Sequence, residues 1–219
     1  QKIGRLAYQA EVLEFDEPGG MMDQFTTAMG GCIYLSQKPF QIKKMHPNLG
    51  KFVLGNSKQP KDTLGILRRC RDQRILMMKK LKKRYPDLGF RDCEVEHGNS
   101  ILNSNERKLL EATIKNREIL FQAKIELSRK KLDHAKIGKL LLDHHKVLRD
   151  LLKISTDKIE KMIDVSMNAG AIGAKINGSG GGGCMFAYTP DDPQRVANAI
   201  NKVGGHATII HSGDGVRIA

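Results

Sequence analysis

Residues 178–183 read Gly-Ser-Gly-Gly-Gly-Gly, introduced by Asn177 and framed by two short strand-like segments, 174–176 and 184–188. A loop this poor in side chains can take positive φ and lets another group come close to its backbone. Its successive N–H groups can form a concavity that holds an anion. A flexible linker is the plainer alternative, but linkers are not usually bounded on both sides by segments that read as strands. Two phosphate-binding motifs are excluded. A P-loop needs Lys-Ser/Thr after its last glycine, where this chain has Cys184-Met185, and a dinucleotide fingerprint needs a helix where 184–188 reads as a strand. Glycine content alone leaves phosphate contact and close packing both open.

Local signals divide the rest of the chain. Residues 1–15 read as a helix, broken at Glu17-Pro18-Gly19-Gly20 because Pro18 disfavours the helical region for Glu17 and the glycines free the backbone. A second helix over 21–29 places Asp23 in its first turn, where the helix dipole favours an anion. Strand-like segments follow at 32–35, 40–44 and 52–55. Leu64, Leu67, Cys70, Met77, Met78 and Leu81 make a helical stripe that ends at Tyr85-Pro86. Asn103 with Glu106 forms a capping box for a helix reaching Ile125, whose predicted core face is Leu110, Ile114, Phe121 and Ile125. Arg117 falls on that face and needs a buried acid or a cleft, pairing being the favoured reading. Met21, Met22, Met77 and Met78 read as core filler. His144 and His145, adjacent on a helix without a Ser or Cys partner in a recognisable arrangement, read as packing or surface residues.

The C-terminal part is the most legible. Ser155 or Thr156 caps a helix with Asp157 and Glu160 in its first turn and Gly170 at its end. The strand–loop–strand unit follows. Asp192 and Pro193 then start a helix with Val196, Ile200 and Val203 inward, Gly204 stops it, and 206–211 closes as a strand. Strands alternating with helices in this way predict an α+β layer.

Hydrophobic residues make up 40% of the 219, enough for a core, and no apolar run approaches the roughly 18 residues needed to span a bilayer. Cys32, Cys70, Cys93 and Cys184 are scattered without metal-ligand spacing. That argues against zinc or a disulfide framework and for small buried thiols in a reducing cytoplasm. A net charge of +13, concentrated in Arg68, Arg69, Arg71, Arg74, Lys79, Lys80, Lys82, Lys83 and Arg84, raises a rival reading, a basic nucleic-acid-binding module. Aromatic content of 5% without Trp leaves few stacking platforms and argues against it.

The segment Ala174-Lys-Ile-Asn-Gly-Ser-Gly-Gly-Gly-Gly-Cys184 resembles the third, C-terminal motif of the GHMP kinases, the superfamily of galactokinase, homoserine kinase, mevalonate kinase and phosphomevalonate kinase. Glu17-Pro-Gly-Gly-Met-Met-Asp-Gln-Phe25, running on to Met29-Gly-Gly31, resembles the Gly-x-Met-Asp-Gln segment of galactokinases. Two weaker likenesses lie between them in the family's order. Lys115-Asn-Arg117 is similar to a Glu-Asn-x-Arg helix, with Lys115 where the family usually has Glu. Asp143-His-His-Lys-Val-Leu-Arg-Asp150 with Ile154-Ser-Thr156 is similar to a Ser-His-x-x-Leu-Arg-Asp … Val-Ser segment. The family's sugar-recognition segment and its Pro-x-x-x-Gly-Leu-x-Ser-Ser-type loop have no counterpart here, so the chain is expected to be the C-terminal portion of a longer kinase, inactive without the missing N-terminal segment.

The resemblance implies a GHMP kinase fold: a remnant of the N-terminal domain over 1–46, and a ferredoxin-like C-terminal domain with added helices over 47–219. It implies ATP-dependent phosphorylation of a sugar hydroxyl, most closely the anomeric hydroxyl of galactose or a related aldose, with a heptose phosphate or another superfamily substrate as the alternative. ATP and Mg²⁺ are implied with it, although no Mg²⁺ ligand can be assigned. Asp23 would orient the acceptor hydroxyl and take its proton, and Gly19 and Gly20 would let the sugar approach the backbone. Gly178, Ser179, Gly180, Gly181 and Gly182 would close over substrate and phosphates. From spacing alone Asp23 reads as a dipole partner; its Gly-Gly-Met-Met-Asp-Gln setting reverses that.

Overall fold

A computed structural model describes residues 1–17, 19–60 and 63–217. Pro18, to which the first helix break was assigned, lies outside the described residues. Helix α1 (Lys2–Tyr8) passes into a π-helical turn, Gln9–Leu13, in which the Glu14 N–H reaches back to Gln9 O and the Glu17 N–H to Val12 O. The single helix expected over 1–15 is thus widened in its second half. Helix α2 (Met22–Met29) lies against α1, with buried Phe25 seated on Gly4 and 5.5 Å from the Phe40 ring. Strands β1 (Cys32–Gln37) and β2 (Phe40–Met45) form an antiparallel hairpin beside α2.

The second sheet begins with β3 (Phe52–Asn56) and is completed by β4 (Gly173–Ile176), β5 (Cys184–Tyr188) and β6 (His206–Ile210), all antiparallel in the order β4-β5-β3-β6. Helices α6 (Asp157–Asn168) and α7 (Pro193–Lys202) pack on one face of it. Val53, Ala174, Ile176, Met185 and Ala187 are fully buried, as are Ile159, Met162, Val196 and Ile200 of the two helices. The path β3–α6–β4–β5–α7–β6 is ferredoxin-like. Between β3 and α6 the chain inserts α3 (Thr63–Lys82), α4 (Ser104–Leu127) and α5 (His134–Lys146), the last running into a π-helical turn over Val147–Leu151. The α5 helix crosses β4 at Gly138 and Gly173, where a Cβ on Gly138 would stand 2.1 Å from Ile172 O.

The caps follow the local signals. Asn103 and Glu106 close a reciprocal capping box, Thr156 rather than Ser155 caps α6, and Asp192 caps α7 with Pro193 behind it. Several burial expectations fail. On α4, Leu110 and Ile114 are core, but Phe121 is 60% exposed and Ile125 is also exposed. There the helix runs alongside the β1–β2 hairpin, and Leu120, Phe121 and Lys124 line an open cavity with Tyr34, Ser36 and Gln37. Met77 and Met78 are core, whereas Met22 and Leu64 are exposed. Cys93 is buried, and Cys32, Cys70 and Cys184 are only half-buried. Arg117 is paired, but on a loop: it bonds Glu94 at 2.8 Å, itself half exposed, and the carbonyls of Arg91 and Cys93 at 2.7 Å each.

Candidate active site

The glycine loop joins β4 to β5. Gly178, Gly180, Gly181, Gly182 and Gly183 all have φ between 69° and 121°, the region where a side chain is strained. The close approach is to the protein's own chain. A Cβ on Gly180 would lie 2.4 Å from Ile154 O, one on Gly181 2.2 Å from Ile66 Cδ1, and one on Gly182 2.7 Å from Pro60 O. Two loop amides are committed to that seat, the Gly181 N–H donating to Ile154 O at 2.7 Å and the Gly183 N–H to Gln59 O at 3.1 Å. Among the described residues, the N–H groups of Gly178, Ser179, Gly180 and Gly182 have no partner. The Ser179 hydroxyl is buried and makes no hydrogen bond either. A buried hydroxyl without a partner is costly, which makes Ser179 a candidate donor to a ligand.

Asp23 sits in the first turn of α2, exposed, and its carboxylate has neither hydrogen bond nor ion pair among the described residues. The α2 N-cap, Met21, offers no side-chain bond. Behind Asp23, buried Gln24 donates to Glu11 at 2.8 Å, and its Oε1 is left unpaired. At Gly19 and Gly20 an added Cβ would meet only ordinary contacts, Val12 and Gln37 at 3.6 Å each. Packing therefore does not require glycine at either position. No hydrogen bond or ion pair joins Asp23 to the glycine loop among the described residues; the one belongs to the α1–α2–hairpin unit and the other to the second sheet. The two units are tied behind α2 by the C-terminal tail. The Gly31 N–H donates to Gly213 O at 2.8 Å, the Val216 N–H donates to Ala28 O at 3.1 Å, and Gly30 pairs with Asp214.

A buried polar cluster supports the loop, and the sequence reading missed it. His145, only 2% exposed, lies 2.9 Å from Glu160 through Nε2, and its Nδ1 accepts from the Ile176 N–H at 3.4 Å. Glu160 also accepts from the Ser155 hydroxyl and, at 3.2 Å, from Arg149. Burial alone would raise the Glu160 carboxyl, but Ser155, His145 and Arg149 outweigh it and hold it below the usual carboxylate range. Burial pushes His145 below the ordinary histidine value, partly offset by the Glu160 carboxylate. His144 is pushed down to about 4 by burial, then by the charges of Lys175 and His145. Burial likewise lowers Lys175 to about 8; its ammonium donates to Ile176 O at 2.7 Å and lies 5.0 Å above the Phe186 ring. The signal for this cluster was present: the His145 … Leu148-Arg149-Asp150 spacing and Glu160 in the first turn of a capped helix.

Residues 124–206 match the family described as GHMP kinases C terminal. The mevalonate kinase of Thermococcus gammatolerans is 30% identical over 220 residues, covering 100% of this chain and 57% of the relative. The galactokinase of Clostridium tetani is 28% identical over 203 residues, covering 85% of this chain and 51% of the relative. The structure of Lactococcus lactis galactokinase complexed with galactose superimposes with a TM-score of 0.80 at 19% identity, over 96% of this chain and 58% of that one. The chain thus spans a little over half the length of these proteins. Its architecture is a GHMP kinase-like α+β fold, with residues 124–206 matching the C-terminal part of that family.

Proposed function

We propose that this chain is part of an ATP-dependent kinase that phosphorylates a hydroxyl of a small molecule, a free sugar being the favoured acceptor. One observation carries the reading: the loop over 178–182 keeps four amides and the buried Ser179 hydroxyl without partners, while its remaining surface is packed. Donors fixed in place by the fold stabilise phosphoryl charge without reorganising as the reaction proceeds. ATP, when bound, supplies the phosphoryl group, and the Gly178, Ser179, Gly180 and Gly182 amides are the donors for its phosphate oxygens. Asp23, exposed and unpaired, orients the acceptor hydroxyl and takes its proton as the new oxygen–phosphorus bond forms. Gly19 and Gly20 leave the backbone open to the acceptor. Mg²⁺, when bound, would neutralise phosphate charge; it is usually held by one or two carboxylates together with the phosphates themselves, and no ligand for it is assigned among the described residues. In this reading residues 1–46 carry the acceptor side and 47–219 the phosphate side.

The sugar reading rests on the Gly-Gly-Met-Met-Asp-Gln context of Asp23 and on the likeness to the Lactococcus lactis galactokinase. A second acceptor, mevalonate, is favoured by the Thermococcus gammatolerans relative, which aligns along the whole chain. The test is ADP release from Mg-ATP across free sugars, sugar phosphates and mevalonate, using the longest natural protein that contains this sequence. Turnover on a sugar supports the proposal; turnover on mevalonate alone replaces the acceptor; no turnover on the whole panel ends it.

A further inference from the structure

The two contacts of His145 fix its tautomer. A backbone N–H can only donate, so Nδ1 facing Ile176 carries the lone pair and Nε2 carries the hydrogen that Glu160 accepts. The ring thus links two places that bear on the glycine loop. Ile176 is the last residue of β4, one position before Asn177 leads into the loop. Glu160 reaches back through the Ser155 hydroxyl to the segment on which the loop rests, because Ser155 follows Ile154, whose carbonyl accepts from the Gly181 N–H at 2.7 Å. The next residue, Thr156, caps α6 and donates to the Gln59 side chain at 2.9 Å, while the Gln59 carbonyl accepts from the Gly183 N–H. The strand that delivers the loop and the ledge that receives it therefore meet at one imidazole–carboxylate pair.

We infer that His145, acting through Glu160, is a positioning residue that sets the conformation of the glycine loop. Its relevance to catalysis rests on the phosphate-binding reading above, and the experiment separates the two. A run of positive-φ glycines has many accessible backbone states, so its shape must be imposed from its ends and its seat. The 3.4 Å bond from Ile176 is long and weak by itself. Its effect comes from burial: removing the acceptor strands a buried N–H, and removing the ring also leaves Glu160 without one of its donors.

The test compares His145→Ala, His145→Asn and Ser155→Ala in the longest natural protein containing this sequence. Ser155→Ala leaves the buried ring in place and keeps the result independent of folding. Hydrogen exchange is read by mass spectrometry on peptides covering 150–156 and 174–184, against a reference peptide in α7. His145→Ala and Ser155→Ala are expected to exchange about tenfold faster in the loop peptides alone, the scale of one lost hydrogen bond. His145→Asn, which keeps an acceptor near the Ile176 N–H, should recover part of that protection. A ¹⁵N shift of His145 Nδ1 typical of an unprotonated ring nitrogen is expected in the unmodified protein. Faster exchange spread evenly over all peptides, or a protonated Nδ1, would overturn the inference. Steady-state kinetics then bear on the loop's role: KM for ATP should rise with KM for the acceptor unchanged. If the loop loosens and both constants hold, the positioning stands and the phosphate reading fails.

Discussion

The loop over 178–183 and the helix carrying Asp23 are the two halves of the candidate site, and they are held in opposite ways. The loop is gripped from several sides: Ile154 and Ile66 under Gly180 and Gly181, Gln59 bonded to Gly183, and His145 behind Ile176. Every strand residue that turns toward α6 and α7 near it is fully buried. The α2 helix is clamped at its C-terminal end by the tail and open at the end where the chemistry is proposed. Asp23 is unpaired, Met22 is exposed, and Phe15 just upstream is 73% exposed. Residues around the loop are therefore constrained by packing, so changing them alters stability and shape. Asp23 makes no hydrogen bond or ion pair among the described residues and gains only from the α2 dipole, so changing it should alter chemistry far more than stability.

Asp23→Asn breaks that comparison most sharply. In the full natural protein kcat should fall about 10²–10⁴-fold, the contribution of a positioned general base, with stability lowered by no more than about 1 kcal/mol, the scale of one carboxylate at a helix N-terminus. A larger loss of stability, measured by urea unfolding, would show that Asp23 is structural after all. Ile176→Ala probes the other side. It should cost about 2–5 kcal/mol as a buried aliphatic truncation, visible as a lowered denaturation midpoint.

The pH dependence of stability sharpens the contrast, since the shifted histidines lie on the loop side. The folded value of His144 is depressed, so the unfolded chain binds its proton more readily. Stability is then fully present above the ordinary value of 6.5 and is lost as pH falls from there through about 4. The ceiling is about 3 kcal/mol for this one group, and His145 adds in the same direction. Thermal melts from pH 7 to pH 4, compared between the unmodified protein and His144→Gln, should show a shallower decline in the variant. The smallest effect on the acceptor side is expected from Gly180→Ala. A left-handed backbone with a side chain costs about 1–2 kcal/mol, and the loop must also lift from Ile154 O, 2.4 Å from the new Cβ. A raised KM for ATP at nearly unchanged acceptor KM would place the damage at the phosphate side; equal changes in both would blur the two halves.

What the sequence made legible was what depends on neighbours along the chain. Asn103 with Glu106, Thr156, and Asp192 with Pro193 announce helix starts because capping uses groups within three residues. The glycine run announced positive φ for the same reason. What the glycines pack against was hidden, because Ile66, Gln59 and Ile154 are far away in sequence and nothing in their local pattern points to the loop. Phe121 and Ile125 show the converse error. Their helical spacing matches Leu110 and Ile114, but periodicity reports a face and not how far along the helix a neighbour covers it. The packing expectation for His145 agrees with its burial, but its polar partners are hidden because an adjacent histidine pair has no distinctive pattern until the carboxylate of Glu160 is brought beside it.

The tail contacts of α2 have a consequence for how the molecule assembles. Gly30 pairs with Asp214, and the fit is so close that a Cβ on Gly30 would stand 1.9 Å from Gly215 N. These partners are far apart in sequence, so bringing them together has the chain-closure cost of a long loop unless the intervening elements have already ordered. The seat of α2 is therefore completed only after β6 has joined the sheet and delivered residues 213–216. Both halves of the candidate site are thus closed by segments distant in sequence, Gln59, Ile66 and Ile154 against the glycine loop and residues 213–216 against α2.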